Sequence, residues 1–244
     1  MKTLLFDGDI ILYHAAAANE VALEVEPDYW TWHCDTKKVK EAVTESIDYY
    51  MDLLEADDFI FCLSDDSSNF RKDVLPTYKM HRKKVKRPLG LKPAREWVQD
   101  RYKAIIWPSL EADDLVGILS TEPQETEQRI IVSGDKDLKT IPGWFYRDAK
   151  TGLVKISEEE ADYFHLLQTI TGDSTDGYSG IPGAGPAAAK KALDKDCSWS
   201  TVASMYKAKS LTKEYALSQA RCARILRWTD YDHVNRKPIL WRPT

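Results

Sequence analysis

The chain has 244 residues, 43% of them hydrophobic, enough to bury the core of one large domain or two small ones. Its net charge of −5, its four scattered cysteines (Cys34, Cys62, Cys197, Cys222) without a CxxC pair, and its lack of an apolar run long enough to cross a bilayer argue against structural zinc and a membrane protein. The run Thr3-Leu4-Leu5-Phe6, cut by Asp7, is too short and too charged for a signal peptide, so a cytoplasmic protein with free thiols is expected.

Thr3 to Asp7 reads as a short buried strand ending in an acid, and Ile10 to Ala18 as a helix. Val21–Val25 and Tyr29–Cys34 alternate as a hairpin around Glu26-Pro27-Asp28. Asp35 caps a helix running to about Glu55, with Val39, Val43, Ile47, Tyr50 and Leu54 at helical spacing. Phe59 to Leu63 is a buried strand leading to Asp65. A basic stretch follows, broken by Pro76, Pro88 and Pro93: twelve Lys and Arg between Arg71 and Lys103 face only Asp73, Glu96 and Asp100. Ala94–Lys103 reads as a helix, Ile105–Trp107 as a strand, and Ala112–Ser120 as a helix with acids in its first turn. Arg129–Ser133 is a strand ending at Gly134-Asp135, and Trp144–Arg147 pairs with Leu153–Ile156. Ser157 with Glu160 forms a capping box, so a helix starts there. The remainder is mostly helical. Strands alternating with helices predict an α/β fold with a mainly parallel central sheet.

Acids recur in five clusters: Asp7 with Asp9, Asp65 with Asp66, Glu111-Ala-Asp113-Asp114, Asp135-Lys-Asp137, and Asp173-Ser-Thr-Asp176. Each alone is an ordinary cap or surface turn. Their shared position just past strand ends is what matters, because open α/β sheets place their ligand sites there. Converging carboxylates need cations, and oxygen-only ligands suit Mg²⁺ or Mn²⁺. The hairpin Gly180-Ile-Pro-Gly183-Ala-Gly185-Pro opens a helix carrying Lys190 and Lys191, and its amides suit a phosphate. Acids flanked by basic segments point to a nuclease.

Phe6-Asp7-Gly8, Phe70-Arg71, Pro76-Thr-Tyr78-Lys79-Met-His-Arg82, Glu111-Ala-Asp113-Asp114, Gly134-Asp135-Lys-Asp137 and Gly172-Asp173…Asp176…Gly180-Ile-Pro-Gly183-Ala-Gly185 together resemble the 5′-nuclease (flap endonuclease) superfamily, in its phage-type 5′→3′ exonuclease branch. The resemblance spans roughly residues 3 to 195. It implies a PIN-like catalytic domain over 1–170, with an arch or clamp at about 71–104, and a helical subdomain over 171–244 containing a helix-hairpin-helix.

It also implies two divalent cations about 4 Å apart, which activate a water and stabilise the leaving 3′ oxygen. Asp7, Asp65, Glu111 and Asp113 would hold the first, and Asp135, Asp137 and Asp173 the second. Asp114 and Asp176 would act through water or from an outer shell, Asp66 is an alternative to Asp65, and Asp9 is an extra. Lys79 and Arg82 would contact the scissile phosphate, and Tyr78 would stack on an end base. Arg71, Lys83, Lys84, Gly183, Gly185, Lys190 and Lys191 would bind DNA, with K⁺ at the hairpin carbonyls. The family often has a lysine two residues after the last hairpin glycine, where this chain has Ala187. The implied substrate is DNA with a free 5′ end or a 5′ flap, with RNA-primed ends and a polymerase partner left open.

Three rivals remain. Phe6-Asp7-Gly-Asp9 mimics a haloacid-dehalogenase-like phosphatase, but that leaves the acids from Glu111 to Asp137 and the hairpin unexplained. A PIN-type ribonuclease is usually shorter and lacks the hairpin. A non-catalytic DNA-binding protein would not need so many converging carboxylates.

Overall fold

The computed structural model describes residues 1–243, and every side chain among them except those of Lys83 and Lys84. The chain begins with β1 (Lys2–Asp7), whose Leu4, Leu5 and Phe6 are wholly buried. α1 (Gly8–Ala18) leaves it at once, capped by Asp7. The ribbon of β2 (Glu20–Glu26) and β3 (Tyr29–Cys34) follows, then α2 (Thr36–Leu53), capped by Asp35 as expected. β4 (Asp58–Cys62), the short α3 (Arg71–Val74), a 3-10 turn (Met80–Lys84), α4 (Leu91–Arg101), β5 (Ala104–Ile105) and α5 (Ala112–Ser120) come next. β6 (Gln128–Val132), a 3-10 turn (Lys136–Thr140), β7 (Gly143–Tyr146) and β8 (Leu153–Ile156) complete the main sheet.

The six strands lie in the order β5-β4-β1-β6-β7-β8, parallel except for the antiparallel β7–β8 pair. This is the α/β fold with a mainly parallel sheet. Because successive strand residues point to opposite faces, Leu4 and Phe6 join a core with α1, α2 and α4, while Leu5 joins one with α5. Both faces are covered, which is why the central strands are apolar throughout. α4 starts three residues before the expected Ala94. Pro93 is tolerated because it sits in the first turn, where a missing N–H has no helical acceptor to lose.

The chain then forms α6 (Glu158–Thr171), α7 (Pro186–Leu193), α8 (Trp199–Ala208) and α9 (Lys213–Ala223), with a third core around Ile170, Leu193, Val202 and Tyr206. Ser157 and Glu160 make the expected capping box at the start of α6. α6 serves two cores, giving Ala161 to the sheet and Leu166 and Ile170 to the helices. Gly172 and Gly180 lock the turn beyond it. Both have positive φ, and a Cβ on either would come within 2.3 Å of the other segment's backbone. After the small hairpin of β9 (Tyr231–Asp232) and β10 (Lys237–Pro238), Trp241 lies edge-on to His165 at 5.0 Å and to Trp199 at 5.3 Å, an anchorage that the tail's sequence did not suggest.

His165 is buried, with Nε2 2.8 Å from the Ala220 carbonyl. Burial, aided by nearby Arg224, pushes its imidazole down to about 3. The unfolded chain therefore takes up the proton first. The resulting stability is whole above about pH 6.5 and is lost on acidification toward pH 3, by up to about 1.4 kcal/mol per pH unit. Thermal melts of His165→Gln between pH 6.5 and 5 should fall less steeply than wild type; parallel slopes would refute this.

Among the described residues, the β2–β3 ribbon pairs only with itself. Val21, Leu23, Val25, Tyr29, Trp30 and Trp32 are all exposed on it. Lys86 fastens its base, pairing with Glu20 and lying 5.0 Å over the Trp32 ring.

Candidate active site

The acids gather where the fold directs them. Asp7 ends β1, Ser133 and Asp135 follow β6, and Glu111 and Asp113 open α5. One pocket at the C-terminal edge of the parallel sheet is lined by Asp7, Asp9, Glu111, Asp113, Asp135, Asp137 and Asp176, with Arg71, Lys79 and Arg82.

These acids differ in how they are compensated. Glu111 lies 2.5 Å from Lys79 Nζ and 3.2 Å from Arg71 Nη1, and accepts from the Tyr78 hydroxyl at 2.8 Å. Burial would raise its carboxyl, but the two cations hold it down at about 2. Asp176 meets Arg82 Nη2 at 2.7 Å and Lys79 at 3.5 Å. Lys79 itself has left-handed backbone (φ 52°), held by its N–H on the Asp176 carbonyl, which directs the side chain into the pocket.

Asp7, Asp113 and Asp135 have no such ion pair among the described residues. Burial, then the neighbouring Asp9, pushes the Asp7 carboxyl up to about 7, against a hydrogen bond from Ser133 Oγ at 2.8 Å. Burial with Asp7 and Asp135 pushes Asp113 well above the usual carboxylate range. Burial with Asp135 raises Asp137 to about 6. Asp137 Oδ1 is buried without a hydrogen-bond partner, and its cation, Lys136, stays 3.4 Å away. An all-oxygen donor set, raised carboxyls and an orphaned buried oxygen fit hard divalent cations. As placed, no three Asp, Glu, His or Cys among the described residues form a group that could hold an ion.

Residues 2–159 match the family described as 5′-3′ exonuclease, N-terminal resolvase-like domain. The exodeoxyribonuclease of Enterobacteria phage T3 is 32% identical over 98% of this chain and 92% of its own length. The exonuclease of Escherichia phage T7 is 32% identical over 98% and 93%.

The chain belongs to the 5′-3′ exonuclease family.

Nuclease activity is accordingly its class. A T5 5′-exonuclease structure with divalent zinc shares the fold of this exonuclease-family chain, with a TM-score of 0.66 over 91% of this chain and 93% of that one at 15% identity.

Within this 5′-3′ exonuclease-family site, several expected roles change. Asp65 does not line the pocket. Its oxygens accept from Ser67, Ser68 and the Ser109 N–H at 2.6–2.8 Å, and against burial these bonds pull its carboxyl below the ordinary range. Asp66 is no substitute, being paired with Arg95 and Arg87. Asp114 is wholly buried as the counterion of Arg71, which also reaches Glu111. Arg71 is not a DNA contact: its donors are spent on Asp114, Glu111 and the carbonyls of Cys222 and Arg224. Tyr78 is 2% exposed and bonds Glu111 and Asp176, so its ring is not offered to a base.

Asp173 stands beside the pocket, accepting from Thr175 N–H at 2.6 Å, with Lys136 3.8 Å away. Gly183 and Gly185 lie on open surface, where a Cβ would meet nothing within 4 Å. Lys190 and Lys191 are exposed in the last turn of α7, at the end away from that hairpin. The Lys83 and Lys84 side chains lie outside the described set. Sequence reasoning treated Asp9 as an extra and missed Arg95, Ser64 and Ser133. The helix α1 starts at Gly8 rather than Ile10, so Asp9 sits in its first turn beside Asp7.

Proposed function

We propose that this nuclease hydrolyses DNA phosphodiesters at 5′ ends and 5′ flaps, in the cytoplasm, using two Mg²⁺ or Mn²⁺ ions. The observation that carries this reading is the partition of one pocket between Asp7, Asp113 and Asp135, which have no ion pair among the described residues, Asp137, whose Oδ1 lacks a hydrogen bond, and the cations Lys79 and Arg82. Asp7, Asp113, Asp135 and Asp137 would hold the cations, with Asp173 and Glu111 completing the set after side-chain movement. When bound, divalent cations supply Lewis-acid neutralisation of the phosphodiester and of the departing 3′ oxygen. Lys79 and Arg82 exchange Glu111 and Asp176 for the scissile phosphate, and so orient it. Water adds at phosphorus, and the product keeps a 5′-phosphate.

The catalytic part would occupy residues 1–170 and the duplex-gripping helical part 171–244, joined through α6. The amides around Gly183 and Gly185, at the N-terminus of α7, would hold a phosphate away from the cut, with K⁺ on the hairpin carbonyls. Lys190 and Lys191 would add sequence-independent attraction. RNA-primed ends would bind through the same phosphate contacts.

The test is cleavage of a 5′-flap duplex, labelled at either end, with Mg²⁺ or EDTA. Wild type should cut near the junction or stepwise from the 5′ end only with Mg²⁺, and a variant carrying Asp135→Asn and Asp137→Asn should lose this. Cutting that persists in EDTA or in the variant would refute the assignment.

A further inference from the structure

Asp9 lines the acid pocket, yet its partner comes from the far end of the basic segment. Arg95, on α4 and 14% exposed, places Nη1 2.7 Å from Asp9 Oδ1 and Nε 3.2 Å from Asp66 Oδ2. Its Nη2 donates to the Ser64 carbonyl. Ser64 closes the circuit. Its N–H donates to Asp9 Oδ2 at 3.2 Å, and its hydroxyl accepts from the Ala112 N–H at 2.9 Å. Ala112 lies between Glu111 and Asp113. One planar guanidinium thus ties α4 and the β4 strand end to the first turn of α1, and through Ser64 to the start of α5. A lysine, with a point charge in place of a fork, could not reach all these acceptors.

We propose that Arg95 is a positioning residue for the nuclease reaction: it holds Asp9 on Ser64, out of the cation space of Asp7, Asp113 and Asp135. The assignment rests on the nuclease reading above. Without Arg95, a positive charge is gone and Asp9, left with only the Ser64 N–H, becomes an unpaired carboxylate beside Asp7. The pocket then draws cations more strongly. A misplaced ligand pulls the cation off the reacting phosphate, and the start of α5 loses its tether. Cation affinity and turnover move in opposite directions, which a merely structural role would not produce.

The experiment uses the full-length protein. Mn²⁺ binding without DNA is read from the EPR signal of free Mn²⁺, and flap cleavage is measured with Mg²⁺. Arg95→Leu should bind Mn²⁺ about fivefold tighter, while kcat falls about tenfold to a hundredfold with little change in KM for DNA. Adding Asp9→Asn to Arg95→Leu should return both toward wild type, and Arg95→Lys should fall between. Arg95→Gln carries the same test where Arg95→Leu does not fold. Three results would overturn the proposal: weaker Mn²⁺ binding, a raised KM at unchanged kcat, or a double variant no better than the single one. Wild type that binds Mn²⁺ but cuts no nucleic acid would sink the nuclease reading, while the Mn²⁺ comparison would still decide the role of Arg95.

Discussion

Arg71→Ala should destabilise the protein by about 3–5 kcal/mol, enough to leave much of it unfolded at ordinary temperatures. The guanidinium forks onto Asp114 with two contacts of 2.7 Å, reaches Glu111 at 3.2 Å, and donates to the Cys222 and Arg224 carbonyls at 3.1 and 2.6 Å. Truncation strands Asp114, which also accepts from the Leu226 N–H, as a buried charge without its counterion. Lysine cannot rescue the site, because it lacks the fork. Removing both charges with Arg71→Met and Asp114→Leu should recover part of the loss, since the desolvation cost of the pair goes with it. Urea denaturation decides the matter: a midpoint for Arg71→Ala within error of wild type would show that the pair contributes nothing.

Asp113→Asn should uncouple activity from stability. Cleavage should fall about a thousandfold or more, because the pocket loses a carboxylate proposed to hold a cation. Yet in EDTA at pH 8 the variant should melt above wild type. The sign follows from the direction of the shift. Burial beside Asp7 and Asp135 raises the Asp113 carboxyl, so the folded state holds its proton longer than the unfolded chain. That contribution is whole below about pH 4 and is lost as pH climbs through the raised value. Asn has no proton to lose. Mg²⁺ should stabilise wild type more at pH 8 than at pH 5, where protons compete for Asp7 and Asp137, and should narrow the gap between the two proteins. Scanning calorimetry with EDTA and with Mg²⁺ at both pH values tests this; a variant less stable than wild type in EDTA at pH 8 would contradict it.

Local signals carried the fold far. Leu4-Leu-Phe6 ending at Asp7, the Asp35 cap and the Ser157–Glu160 box each depend on near neighbours, and each appears where expected. The 3-10 turn at Lys136–Thr140 was not anticipated, although its cap is local, with the Asp135 side chain accepting from the Asp137 N–H. Strand-end position gathered Asp7, Glu111, Asp113, Asp135 and Asp137 correctly into one pocket. The counterion of each acid was hidden. Arg71 sits in a basic run and reads as surface, yet its partners include carbonyls about 150 residues away. Asp65 lies past a strand end like the others, but three serines near it in space or sequence claim its oxygens.

The β2–β3 ribbon shows how charge can stand in for burial. Six large apolar side chains on two unshared edges would seed edge-to-edge association in a neutral protein. Glu24, Glu26 and Asp28 cluster at its tip, with no lysine or arginine anywhere between Glu20 and Cys34. Two such ribbons approaching one another bring like charges together, which opposes their pairing. Replacing these tip carboxylates with neutral residues would leave the apolar faces of the ribbon without that repulsion.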